Sequence, residues 1–155
     1  MDKKGLIKFA AEWWAGMILL KKVGWISCKD DENNPFAKRI APMAEKQITD
    51  ESLGKFIKYF CDNAELYSNE CRNKLKVDYH SYGDFLRECF EAAGIQEFFF
   101  APKKCFTTLN LEEGFFAVWP DTTEKDTEWV VRAKTDDCKV DFKELGYNKV
   151  CLYEG

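Results

Sequence analysis

Histidine is nearly absent from this chain: His80 is the only one in 155 residues. Chemistry built on imidazole therefore has a single place to sit. Asp78 stands two residues before it and seven cysteines are spread along the chain, so a Cys–His nucleophilic pair is conceivable. No cysteine lies in a glycine-framed turn, however, and the local signatures of cysteine proteases are missing. Phosphate cradles are missing too, because the nine glycines form neither G-x-x-x-x-G-K nor G-x-G-x-x-G. The thiols include no C-x-x-C and their number is odd, which argues against both a zinc site and a disulfide framework. Reduced thiols and the lack of a cleavable leader point to a cytoplasmic protein. The longest apolar stretch, 6–20, is interrupted by Lys8, Glu12 and Gly16 and falls short of the roughly 20 residues that a bilayer demands. A buried core helix is expected there, with no membrane partner.

What is abundant is core material. Hydrophobic residues make up 46% of the chain and aromatics 15%. For this length, area scaling buries about 70% of the unfolded surface, enough for one domain without metal or disulfide staples. The charge is uneven. Residues 1–96 carry 15 basic and 15 acidic side chains, whereas 97–155 carry 8 and 12, which accounts for the net −4. An acidic second half disfavours direct binding of nucleic acid there.

Hydrophobic periodicity divides the chain in the same place. Helices are expected over about 4–22, 36–47, from Thr49 or Asp50 through at least Ala64, and from Ser81 or Asp84 to Ala93. The first is apolar over more than half its circumference, so elements should flank it on two sides. Pro42 should bend or divide the second. In the third, Leu53, Phe56, Ile57, Phe60, Cys61 and Ala64 form a stripe opposite Lys55, Lys58 and Asp62. Residues 66–76 are polar and weakly periodic, and read equally as helix or loop. Gly94 ends the fourth helix. From Phe98 the period changes to two, with strands at 105–111, 115–119, 128–134 and 147–153. Glu112, Glu113 and Gly114 make a hairpin loop with glycine at the left-handed position. The expected architecture is a single α+β domain over 1–155. About four N-terminal helices (about 1–96) pack on a C-terminal antiparallel sheet of about four strands (about 97–155).

Two local features bear on function. Phe98, Phe99 and Phe100 with Lys103 and Lys104 could stack single-stranded nucleic acid, or serve as ordinary packing. The acidic turns Glu112–Glu113, Asp121/Glu124/Asp126 and Asp136–Asp137 fall at the ends of the expected strands. Clustered, they would form an electronegative rim suited to a basic protein surface. Carboxylates at turn tips lack the burial that acid–base catalysis requires, so a catalytic role for them is disfavoured.

The segments FAAEWW (9–14) and VDYHSYGDFLRECFEAAGI (77–95), followed by an aromatic hairpin, resemble an uncharacterised group of small accessory proteins of phages and mobile elements of Gram-positive bacteria. The resemblance spans most of the first 120 residues and rests on packing residues. It implies no catalytic residues and no cofactor. It implies instead a protein that binds and blocks host defence machinery, as anti-CRISPR proteins do. The reading from sequence is thus a protein-binding module acting through the acidic sheet edge. The alternatives are a small enzyme using His80 with a cysteine and a single-strand binder using 98–104.

Overall fold

The computed structural model describes residues 2–70, 74–77, 83–101, 105–120, 131–134 and 138–139. Five helices and five strands alternate unevenly along it: α1 (Lys3–Ser27), α2 (Ala37–Gln47), α3 (Asp50–Glu70), β1 (Lys74–Val77), α4 (Gly83–Ala93), α5 (Glu97–Phe100), β2 (Cys105–Asn110), β3 (Phe115–Pro120), β4 (Val131–Lys134) and β5 (Cys138–Lys139). The class is α+β, mostly helical, with an antiparallel sheet centred on the β2–β3 hairpin. The backbone order is β1-β2-β3-β4-β5, each strand antiparallel to its neighbour.

α1 is the central element. Asp2 caps it, accepting the Gly5 N–H at 2.8 Å, so one of the four orphan donors of the first turn is satisfied. Eleven residues between Leu6 and Ile18 are buried, pointing in every direction around the helix except the Lys8–Glu12 edge. It is packed by α2, α3 and α5 and by the sheet, as its apolar circumference requires. Trp13 and Trp14 are both buried and meet edge to face at 5.2 Å; Trp13 and Phe9 continue onto Phe116 of β3. Those contacts join helices to sheet. Burying side chains of this size stabilises the fold by about 1.5–3 kcal/mol each.

α2 lies against α1 through small residues, Ala37, Ala41 and Ala44, with Ile40. Pro42 does not divide it: the helix is continuous over 11 residues and Pro42 faces solvent. Its last turn is closed by Lys22, whose Nζ donates to the Ile48 carbonyl at 2.8 Å. α3 starts from a reciprocal cap: Ser52 N–H donates to Thr49 Oγ1 at 3.1 Å, and Thr49 N–H to Ser52 Oγ at 2.9 Å. This is the capping-box arrangement with serine at the third position, and it names Thr49 as the cap.

The aromatic residues of α3 and α4 interdigitate: Phe56 meets Phe90 at 5.3 Å, and Phe60 meets Phe85 at 4.9 Å. α4 ends in a Schellman motif at Gly94 (φ 70°), with Ile95 N–H donating to Phe90 O at 3.0 Å and Gly94 N–H to Glu91 O at 3.1 Å.

Four details differ from the sequence reading. α1 runs on to Ser27, with Trp25 hydrogen-bonded to α5, and α3 to Glu70, with Tyr67 hydrogen-bonded to Glu88 of α4. Residues 74–76, from the stretch read as helix or loop, form β1 with Val77 alongside β2. Residues 98–100 lie in the helical turn α5 rather than at the start of an extended segment. Leu111 belongs to the hairpin turn, which therefore has four residues, 111–114. The expected strand at 147–153 lies outside the described residues.

Candidate functional site

Asn110 builds the acidic hairpin tip. It is buried (1% exposed), its Oδ1 accepts the Glu113 N–H at 3.0 Å and its carbonyl accepts the Gly114 N–H at 2.9 Å. Gly114 takes φ 73°, a left-handed conformation that side-chain-bearing residues adopt only with strain. Glu112 and Glu113 are thereby held in a defined turn with both side chains in solvent. Of the sequence-predicted acidic rim these two are placed. Asp121, Glu124, Asp126, Asp136 and Asp137 lie outside the described residues, as does His80.

A second exposed feature sits where α1 ends. Trp25 Nε1 donates to the Phe99 carbonyl at 3.0 Å, and the Gln96 N–H donates to Gln47 Oε1 at 2.9 Å. α5 is so fastened to α1 on one side and to α2 on the other. Its three phenylalanines diverge as helical geometry dictates: Phe100 is fully buried, Phe99 half-buried and Phe98 74% exposed. Phe98 and Phe99 stand perpendicular at 5.0 Å. Glu97, half-buried beside Phe98, has its carboxyl raised above the usual range by loss of solvent, with Glu91 adding to the rise and Arg87 opposing it.

A third cluster was not anticipated from sequence. Tyr59 and Tyr67 of α3 both donate to Glu88 Oε2 of α4, Tyr59 at 2.8 Å. The two tyrosines are eight residues apart, so they share a helix face, and that spacing was the available signal. Their donation, Tyr67's foremost, holds the Glu88 carboxyl below its ordinary value. It also raises the Tyr59 phenol. A lowered acid beside a raised phenol is a resting clamp between helices, with neither group poised to exchange protons near neutrality.

The thiols point the same way. Cys89 is fully buried, and loss of solvent pushes its thiol far up; Cys61, half-buried, is raised for the same reason. Raised thiols are poor nucleophiles. Cys28, Cys61 and Cys89 are free thiols. Among the described residues no group of three or more His, Cys, Asp or Glu is arranged to hold a metal ion. An apolar crevice among Trp14, Phe60, Phe85, Leu109 and Phe116, with Thr107 its one hydroxyl, belongs to the core. No helix among the described residues is long and apolar enough to cross a membrane.

No family model, no curated protein and no solved structure matches this chain. The functional reading therefore rests on its own residues.

Proposed function

We propose that the chain acts by stoichiometric, non-covalent binding to a protein partner with a basic surface, without cofactor and without a reaction of its own. Its setting in this reading is the cytoplasm, in keeping with its reduced thiols, and its role, following the resemblance noted above, is that of a mobile-element protein that blocks host defence machinery. The observation that carries the reading is the β2–β3 tip, where Glu112 and Glu113 project into solvent from a turn fixed by buried Asn110. Paired carboxylates in such a position steer a cationic surface during encounter and bind it in a salt-dependent way. In this reading the acidic turns at 121–126 and 136–137 extend the same rim. Rigid seating of the hairpin against α1, through Trp13 and Phe9 on Phe116, supports it by limiting the ordering cost of association.

The test is a charge reversal. In the double variant Glu112→Lys, Glu113→Lys, affinity for the partner falls at least about tenfold at low salt while circular dichroism and melting temperature stay unchanged. Unchanged affinity would remove the acidic-rim reading. A second reading, stacking of single-stranded nucleic acid, draws on the exposed ring of Phe98. Retention on an oligonucleotide column at low salt, abolished by Phe98→Ala, would establish it in place of the first.

A further inference from the structure

We infer that the outer face of α2, Phe36 with Arg39, Lys46 and Lys38, holds a short stretch of single-stranded nucleic acid. The site is separate from the acidic hairpin tip and from the α5 turn, and it does not rest on the protein-binding reading.

The sequence of α2 divides the helix circumference in two. Ala37, Ile40, Ala41 and Ala44 are buried and share one arc, against α1. At about 100° per residue, the other arc reads around the helix as Phe36, Arg39, Lys46, Pro42, Lys38 and Glu45. All of these side chains are exposed. Three cations thus share the outer face with one carboxylate, and Glu45 stands at the edge farthest from Phe36. Elsewhere on the helices exposed cations are matched by acids, as in Lys3–Glu65, Lys8–Glu12, Lys55–Glu51, Lys58–Asp62 and Arg87–Asp84. On α2 they outnumber them.

Phe36 is the second feature. Its carbonyl accepts the N–H groups of Arg39 and Ile40, both at 3.0 Å, and the adjacent Ala37 is fully buried, so the residue is fixed at its root. Its side is nevertheless open, at 66% exposure. A phenylalanine at a helix start often folds onto the first turn as a hydrophobic staple, but one this exposed covers little of it. A wet ring on a fixed backbone gains when another flat group covers it, with little ordering cost. Arg39 lies one turn on, at the spacing that makes side chains neighbours on a helix surface.

The two features together select the occupant. A base stacks on the ring while the phosphates of its strand meet the cations beside it. Arg39 and Lys46 are two turns apart, about 10 Å along the helix, a span that takes more than one phosphate of a strand. An acidic peptide would satisfy the cations and bring no base to the ring. A duplex would keep its bases stacked on one another and away from Phe36. Asp30, Asp31 and Glu32 in the loop before α2 repel phosphate on that side, so the bound stretch is short.

The experiment is fluorescence anisotropy of a labelled oligothymidylate of about a dozen nucleotides, titrated with the full chain over a series of salt concentrations. The expected result is saturable binding at low salt, weaker for a duplex of the same length. The logarithm of affinity should fall against that of salt with a slope of about −2, for three phosphate contacts. Phe36→Ala should lower affinity at least about fivefold at an unchanged slope. The double variant Arg39→Gln, Lys46→Gln should lower it as well and bring the slope to about −0.7. Circular dichroism should be the same for all of these surface variants. No binding at the lowest salt, equal binding of the duplex, indifference to Phe36→Ala, or a slope unchanged by the charge variant would overturn the inference. So would competition by poly-glutamate as strong as by unlabelled oligonucleotide, which would make the face a seat for acidic protein. Loss of binding with Phe98→Ala but not with Phe36→Ala would also overturn it, by moving the strand to α5. Failure here leaves capture of a basic partner through Glu112 and Glu113 untouched, and failure of that capture leaves the α2 site standing.

Discussion

Two aromatic clusters of similar composition serve opposite ends in this molecule. At the centre, Trp13 and Trp14 of α1 meet Phe116 of β3, and all three are buried. At the end of the same helix, half-buried Trp25 holds α5 in place, and Phe98, edge to face with Phe99, is 74% exposed. The first cluster joins two layers of the fold. The second uses two hydrogen bonds to fix a turn whose outermost residue is mostly exposed. Aromatic content alone does not separate a core from a contact surface; what separates them is whether the surrounding elements cover the ring or merely position it.

The contrast is sharpest in stability. Trp14→Ala or Phe116→Ala should cost about 3–5 kcal/mol, read as a lower urea midpoint. Phe98→Ala should stay within about 0.5 kcal/mol of the parent. Equal losses would mean that Phe98 is a packing residue, and the comparison would collapse. An intermediate effect is expected for the cap of α3: Thr49→Ala should cost about 1 kcal/mol, since Ser52 then loses its acceptor at the helix start.

Thiol reactivity tests the same division of inside and outside. Cys89, buried between α3 and α4, should react with a thiol reagent only when the whole domain unfolds, at the rate of global opening. Labelling of Cys89 in the native protein at a rate near that of a free thiol would contradict the packing of α4. The smallest expected effect concerns the surface clamp on Glu88. Its carboxyl is lowered in the fold, so the clamp's contribution is present above the unfolded carboxylate range and is lost as pH falls through the lower folded value. The Tyr59 phenol is raised, so its contribution holds below the unfolded phenol value, about 10, and is lost as pH rises through the folded one. Urea midpoints measured against pH should therefore be flat between these limits and fall at both ends. Glu88→Gln should flatten the acid limb.

Much of this was legible because local rules and tertiary structure agree. The α3 stripe and the stop at Gly94 each appear in the sequence as spacings that the fold keeps, with Phe56, Phe60 and Ala64 buried and Gly94 at positive φ. Gly114 likewise marks the hairpin that the structure contains. Other elements were decided at a distance. Residues 74–77 are short and half lysine, and become a strand because β2 offers a ladder 30 to 36 residues later in the chain. The three phenylalanines form a helical turn because Gln47 and Trp25, 49 and 74 residues away, hold its two ends. No local window contains that information, so the exposure of Phe98 and the position of Glu97 beside it could not be read from sequence. The tip at Glu112–Glu113 could, since a hairpin turn is a local object.

The central claim is that the molecule works by holding a basic protein partner. The most direct measurement is capture from host lysate with the tagged parent and with the Glu112→Lys, Glu113→Lys variant, each with and without nuclease, quantified by mass spectrometry. The account predicts one stoichiometric, nuclease-resistant partner on the parent and its loss from the folded variant. An empty capture by the parent, or equal recovery of the partner by both proteins, would contradict it.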